Sequence, residues 1–108
     1  MTEYKSIIYL GYELSGNKIT NILTQEEMEK MESEGYLHRL DWYHDATCIS
    51  FVVGTKHKVL SEGEVFAVEG SMPPAHELMA LRDKIKQYMS LQHFPPRCPN
   101  FVFGLEVS

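Results

Sequence analysis

The order in which the hydrophobic period changes constrains this chain more than any other feature. Residues 5–14 alternate with period 2, 24–35 carry a helical pattern, 46–54 and 62–69 alternate again, 74–93 are helical, and 99–107 alternate. Strand, helix, strand, strand, helix, strand within 108 residues leaves few topologies. The pattern predicts a single α+β domain over residues 1–108, with a sheet and a helical layer around one core.

Local signals place the elements. In the first strand Ile8, Leu10, Tyr12 and Leu14 point one way, and Ile7 and Tyr9 make the other face apolar too. A strand apolar on both faces belongs inside a sheet. Gly11 marks a close approach or a bulge. Ser15-Gly16-Asn17 reads as a turn, with Ile19 and Ile22 extending a short hairpin. Thr24 and Glu27 form a capping box, Leu23 and Met28 are placed for a staple, and Gly35 sits where a left-handed stop belongs. Only Met28 and Met31 give that helix a core stripe.

Farther along, Ile49, Phe51 and Val53 alternate in a strand, Lys56–Ser61 reads as a polar connection, and Phe66 and Val68 share one face of the next strand. Pro73-Pro74 introduces a helix with Leu78, Leu81, Ile85 and Tyr88 at helical spacing, and Pro95-Pro96 stops it. Lys84 and Lys86 complement its C-terminal end. Phe101, Phe103, Leu105 and Val107 share a face of the last strand. Residues 36–45 fit neither period, and Leu40 and Trp42 suit a strand or a packed loop.

Assembled, these elements make a four-stranded antiparallel sheet with two helices on one face. The order resembles the ferredoxin-like βαββαβ arrangement, a two-layer sandwich. The right-handed crossover rule then puts the first strand beside the last and the third. The alternative is a five-stranded α+β sheet with residues 37–44 as an extra strand.

Composition narrows the function. The net charge of −5 repels a phosphate backbone, and Arg82, Lys84, Lys86 and Arg97 are mixed with Glu77 and Asp83. No apolar run approaches bilayer length, and the N-terminus shows no basic start with an apolar stretch behind it. Cys48 and Cys98 do not make a disulfide framework, so a reducing, cytoplasmic setting is expected. G-x-S-x-G, Walker-type, G-x-G-x-x-G and C-x-x-C patterns are all missing, against hydrolase, nucleotide-binding and thioredoxin-like readings.

His38, Asp41, His44 and Asp45 are the best metal candidates, but neither a helix nor a strand brings all four together, so no metal or cofactor is expected. Cys48 has His44 and His57 as candidate activators, yet its apolar strand suits a small buried hydrophobe. Cys98 follows Arg97 in a Pro-rich stretch without a sequence partner, and His76 and His93 flank the second helix as solvated groups.

Two surfaces remain. The first helix carries Glu26, Glu27, Glu29, Glu32 and Glu34, of which Glu32 and Glu34 lie at the end where the dipole disfavours anions. The segment after it is aromatic. Glu29, Glu32, Glu34, Tyr36, Trp42 and Tyr43 are therefore the candidate partner-binding residues. The chain reads as a small acidic interaction or regulatory protein without catalysis, of bacterial or phage accessory type. Its partner is a basic protein, with a second copy paired through a sheet edge as the other candidate. The alternative is a small-molecule-binding or enzymatic α+β domain using His38, His44 and Cys48. RNA binding through exposed Tyr9 and Phe66 is opposed by the net charge.

Overall fold

The structure, a computed structural model, describes residues 4–40, 50–61, 63–68, 70–89 and 98–107. The described residues form β1 (Tyr4–Ser15), α1 (Gly16–Ile22), α2 (Gln25–Ser33), β2 (Leu37–Leu40), β3 (Ser50–Leu60), α3 (Ala75–Lys86) and β4 (Asn100–Val107). The fold is α+β. The strands make one open antiparallel sheet in the order β2-β3-β1-β4. No helix among the described residues is long and apolar enough to cross a membrane.

The doubly apolar β1 lies inside the sheet, between β3 and β4. On its front face Tyr12 and Leu14 join Ile19, Leu23, Met31, Leu37, Val53, Ile85 and Met89 in the main core under the helices. On its back face Ile7 and Tyr9 join Leu40 and Val52 in a second, smaller core. Both faces of one strand are thus buried for different reasons.

The back-face core exists because the sheet rolls over. Leu40 belongs to one edge strand and Gly104 to the other, yet a Cβ on Gly104 would collide with the Leu40 Cδ2. The roll is centred on a glycine pair. Gly11 and Gly54 are opposite partners in the β1–β3 ladder. A Cβ on Gly54 would overlap the Leu10 carbonyl oxygen, and one on Gly11 would overlap that of Val53. Gly54 has φ +155° and donates its N–H to the Tyr36 carbonyl at 2.9 Å. Only glycine permits two backbones to cross this closely. Nearer the start of β1 the register shifts between Ile8 and Tyr9, where His57 is the extra residue of a bulge.

The α2 signals act as expected. The Thr24 hydroxyl accepts from the Glu27 N–H at 3.2 Å, and the Glu27 carboxylate accepts from the Thr24 N–H at 2.9 Å. The backbone N–H of Thr24 first, and its hydroxyl second, hold the Glu27 carboxyl below its ordinary range. Because that shift is downward, its contribution is present above the ordinary Glu range and fades as the pH falls through the lowered value. Gly35 (φ +84°) ends the helix in a Schellman motif, with Tyr36 N–H on the Met31 carbonyl at 2.8 Å and Gly35 N–H on that of Glu32 at 3.1 Å. Thr24→Ala is expected to cost about 1 kcal/mol in urea unfolding at neutral pH.

Four expectations are corrected. Residues 15–22 are not a turn and hairpin: Ser15 caps α1, accepting from the Lys18 N–H at 3.3 Å, and Ile19 is fully buried. The polar 56–61 stretch is mostly strand, because β3 continues along β1 to Leu60. Its side chains from Lys56 to Val59 are exposed where the helices do not cover the sheet. Residues 63–68 are not a strand. Both sides of β1 are taken from Ser6 to Gly11, Gly63 turns with φ +80°, and Phe66 packs as a loop residue against Phe101 and His57. The first strand's neighbour is accordingly β3 at 50–60 and not a strand at 62–69. Finally, α3 closes at Lys86, since Tyr88 and Met89 both donate to the Ile85 carbonyl in a tight turn that delivers Met89 to the core. The ambiguous 36–45 stretch supplies β2 at 37–40, an edge strand of four residues that the alternative reading allows at 37–44; the described sheet still has four strands, because 63–68 is not one.

Candidate functional site

The acidic surface is built on α2. The Thr24 cap and the Gly35 stop fix its length, and Met31 with Leu23 anchors its inner side in the main core. That geometry leaves Glu26, Glu29, Glu32 and Glu34 exposed on the outside. Glu29 accepts from the Gln25 side-chain amide at 3.2 Å. Among the described residues no cation pairs with Glu26 or Glu32.

Glu34 has an internal partner. The Tyr88 hydroxyl faces its carboxylate, which keeps the phenol protonated and, with burial, pushes its pKa up to about 12. Tyr88 in turn stacks on Tyr36, with ring centroids 5.4 Å apart, and the Lys84 ammonium stands 5.8 Å from each ring. This cluster ties the end of α2 to the end of α3. Of the candidate partner-binding residues, Glu29 and Glu32 are outward-facing, Glu34 is shared with Tyr88, and Tyr36 is half-buried. Trp42 and Tyr43 lie outside the described residues.

The described histidines and the described cysteine are dispersed over different environments. His38 stacks on Tyr9 at 5.0 Å, with its Nε2 2.9 Å from the Gly35 carbonyl. His57 sits with Phe66 and Phe101, at 6.1 and 5.2 Å. His76 is exposed at the start of α3. The Cys98 thiol lies 3.7 Å from the Met79 sulfur. Asp41, His44, Asp45, Cys48 and His93 lie outside the described residues. Among the described residues no group of three His, Cys, Asp or Glu side chains is placed to hold a metal ion.

A second feature escaped the sequence reading. A cleft of about 480 Å³ is lined by Gly11, Tyr12, Glu13, Ser15, Ser50, Asn100, Phe101 and Val102. It lies at the step where β4 begins opposite Gly11 while β1 runs on to Ser15 against β3. Glu13 is the charged side chain of its lining and is exposed. The signal was Pro99. A residue with no backbone N–H just before the Phe101–Phe103 alternation sets a limit to that strand's ladder.

No protein-family model matches the chain, and neither the curated proteins nor the solved structures include a significant match.

Proposed function

We propose that this chain is a small acidic interaction protein that works by binding a basic protein partner, with no catalytic step of its own. The observation that carries the reading is the outer face of α2, where the Glu26, Glu29 and Glu32 carboxylates project from a doubly capped helix with no cation of the described residues to neutralise Glu26 or Glu32. A capped helix holds its charges in fixed positions, which suits electrostatic steering of an oppositely charged surface. The finer fold reading, a ferredoxin-like split βαβ arrangement, belongs to the same proposal. It is supported by the antiparallel pairing and by the central place of the first strand, and α1 is an addition to it. The cytoplasm is the proposed setting.

The test reverses charge at Glu29 and Glu32 together and spares Glu34, whose carboxylate holds Tyr88. Partners captured from the native host by Glu29→Lys/Glu32→Lys are compared with those of the unaltered chain at low and high salt. Capture of basic proteins is expected to be salt-sensitive and to fall at least tenfold in affinity, about 1.4 kcal/mol, on reversal. An unchanged set of partners, held equally at both salt concentrations, refutes the reading.

A further inference from the structure

We propose that the cleft beside the end of β1 is a strand-addition site, which takes an extended, lysine- or arginine-bearing segment of the basic partner. The proposal rests on the reading of a basic partner above and adds to it the place and manner of contact.

The argument starts from the unequal lengths of two ladders. β1 pairs with β3 as far as Ser15, but with β4 only as far as Gly11, opposite Asn100. Pro99 is buried directly before Asn100 and has no N–H to offer a neighbouring strand. The edge of Glu13, Leu14 and Ser15 on the β4 side is therefore without a strand partner among the described residues. An edge of this kind is a template for an added strand.

The space is present as well as the edge. The cleft of about 480 Å³ is lined by this end of β1, with Glu13 and Ser15, and by the first residues of β4. Its walls come from β1, from Ser50 on β3 and from the first residues of β4. Side chains of an added strand alternate between the two faces of the sheet. On the back face the residue opposite Glu13 would stand beside the one charged group of the lining, with Ser15, Ser50 and Asn100 around it. An opposite charge directly across a ladder is the favourable pairing, and a like charge the unfavourable one. Charge complementarity thus selects a cation at that position. It disfavours a second copy of a chain whose net charge is −5.

The experiment uses the full chain, labelled with ¹⁵N, and the capped pentapeptide acetyl-Thr-Val-Lys-Val-Thr-amide as the probe. Amide shifts confined to residues 11–15 and 100–102 are expected. Glu13→Lys is expected to weaken binding at least tenfold. So is a peptide with Glu in place of Lys, and a peptide N-methylated at the central residue should not bind. Glu13 is exposed, so the variant keeps its fold, which circular dichroism checks. The strand-addition site is overturned if millimolar peptide moves no amide in the cleft. It is also overturned if the shifts fall on α2 and vanish with Glu29→Lys/Glu32→Lys but not with Glu13→Lys. That second result leaves the acidic-helix reading standing, so the two failures are distinguishable. A dimer that Glu13→Lys dissociates would likewise overturn the assignment, in favour of a second copy as the occupant.

Discussion

Gly54→Ala is expected to leave the chain without a cooperative unfolding transition. The added methyl would overlap the Leu10 carbonyl oxygen, and backbone on the opposite strand cannot swing aside as a side-chain tip can. Gly54 also has φ +155°, which an L-residue rarely adopts, and its N–H holds the Tyr36 carbonyl at the join to β2. Relief would have to separate β1 from β3 at the centre of the sheet. Costs above about 4 kcal/mol are exceptional for one substitution and follow from this kind of mechanism. A domain of this size has only about 5–15 kcal/mol in total. Gly35→Ala is the internal control, because its φ is also positive but nothing lies within 4 Å of the new methyl. It should cost about 1–2 kcal/mol and retain a sharp transition. Urea unfolding followed by far-ultraviolet circular dichroism separates the two. Equal midpoints for both variants would refute the close crossing.

The second large effect is expected at Tyr9. Its ring is 2% exposed and fills the back-face core with Ile7, Leu40 and Val52. It also carries the His38 ring and lies within 3.1 Å of where a Gly104 Cβ would be. Tyr9→Ala should destabilise by about 3–5 kcal/mol, the range for emptying an aromatic site in a packed core. The loss should include the contact between the two edge strands, since Leu40 and Gly104 meet over this ring. The measurement is the urea midpoint together with the His38 ring proton shifts, which should move toward solvent values. A change below about 1 kcal/mol with unmoved His38 shifts would mean that the sheet does not roll over its back face.

Local signals in the sequence were legible where one short segment carried the whole motif. Thr24, Glu27 and Gly35 define α2 without help from the rest of the chain. The double-faced apolar pattern of β1 placed it in the sheet interior correctly. Local reading failed where tertiary context overrode it. Ser15-Gly16-Asn17 has turn chemistry, but Ser15 is equally good as an N-cap, and burial of Ile19 decides for the helix. Lys56 to Lys58 look like loop residues because they face solvent, yet the length of β1 keeps them in a ladder. Phe66 and Val68 alternate like a strand, but β3 takes one side of β1 from Ser6 to Ser15 and β4 takes the other from Tyr4 to Gly11.

The candidate site was legible in part for the same reason. Exposed glutamates on a capped helix can be read from spacing alone. The link from Glu34 to Tyr88 cannot, because Tyr88 comes to it from just beyond the end of α3, beside Tyr36. The cleft depends on a difference between two ladder lengths, which becomes visible only once both partners of β1 are known.

The place of β1 also governs the sequence of events during synthesis. It is translated before the other strands of its sheet, and its register runs from Tyr4 paired with Val107 to Ser15 paired with Ser50. Neither of its neighbours is local, so closing the sheet requires long loops to be ordered before the contacts are made. Until β4 has been translated, Ile7, Ile8, Tyr9 and Leu10 have no complete sheet to enter. The nascent chain carries that apolar strand without its full sheet from its own translation until that of β4, which leaves it open to non-native contacts in that interval.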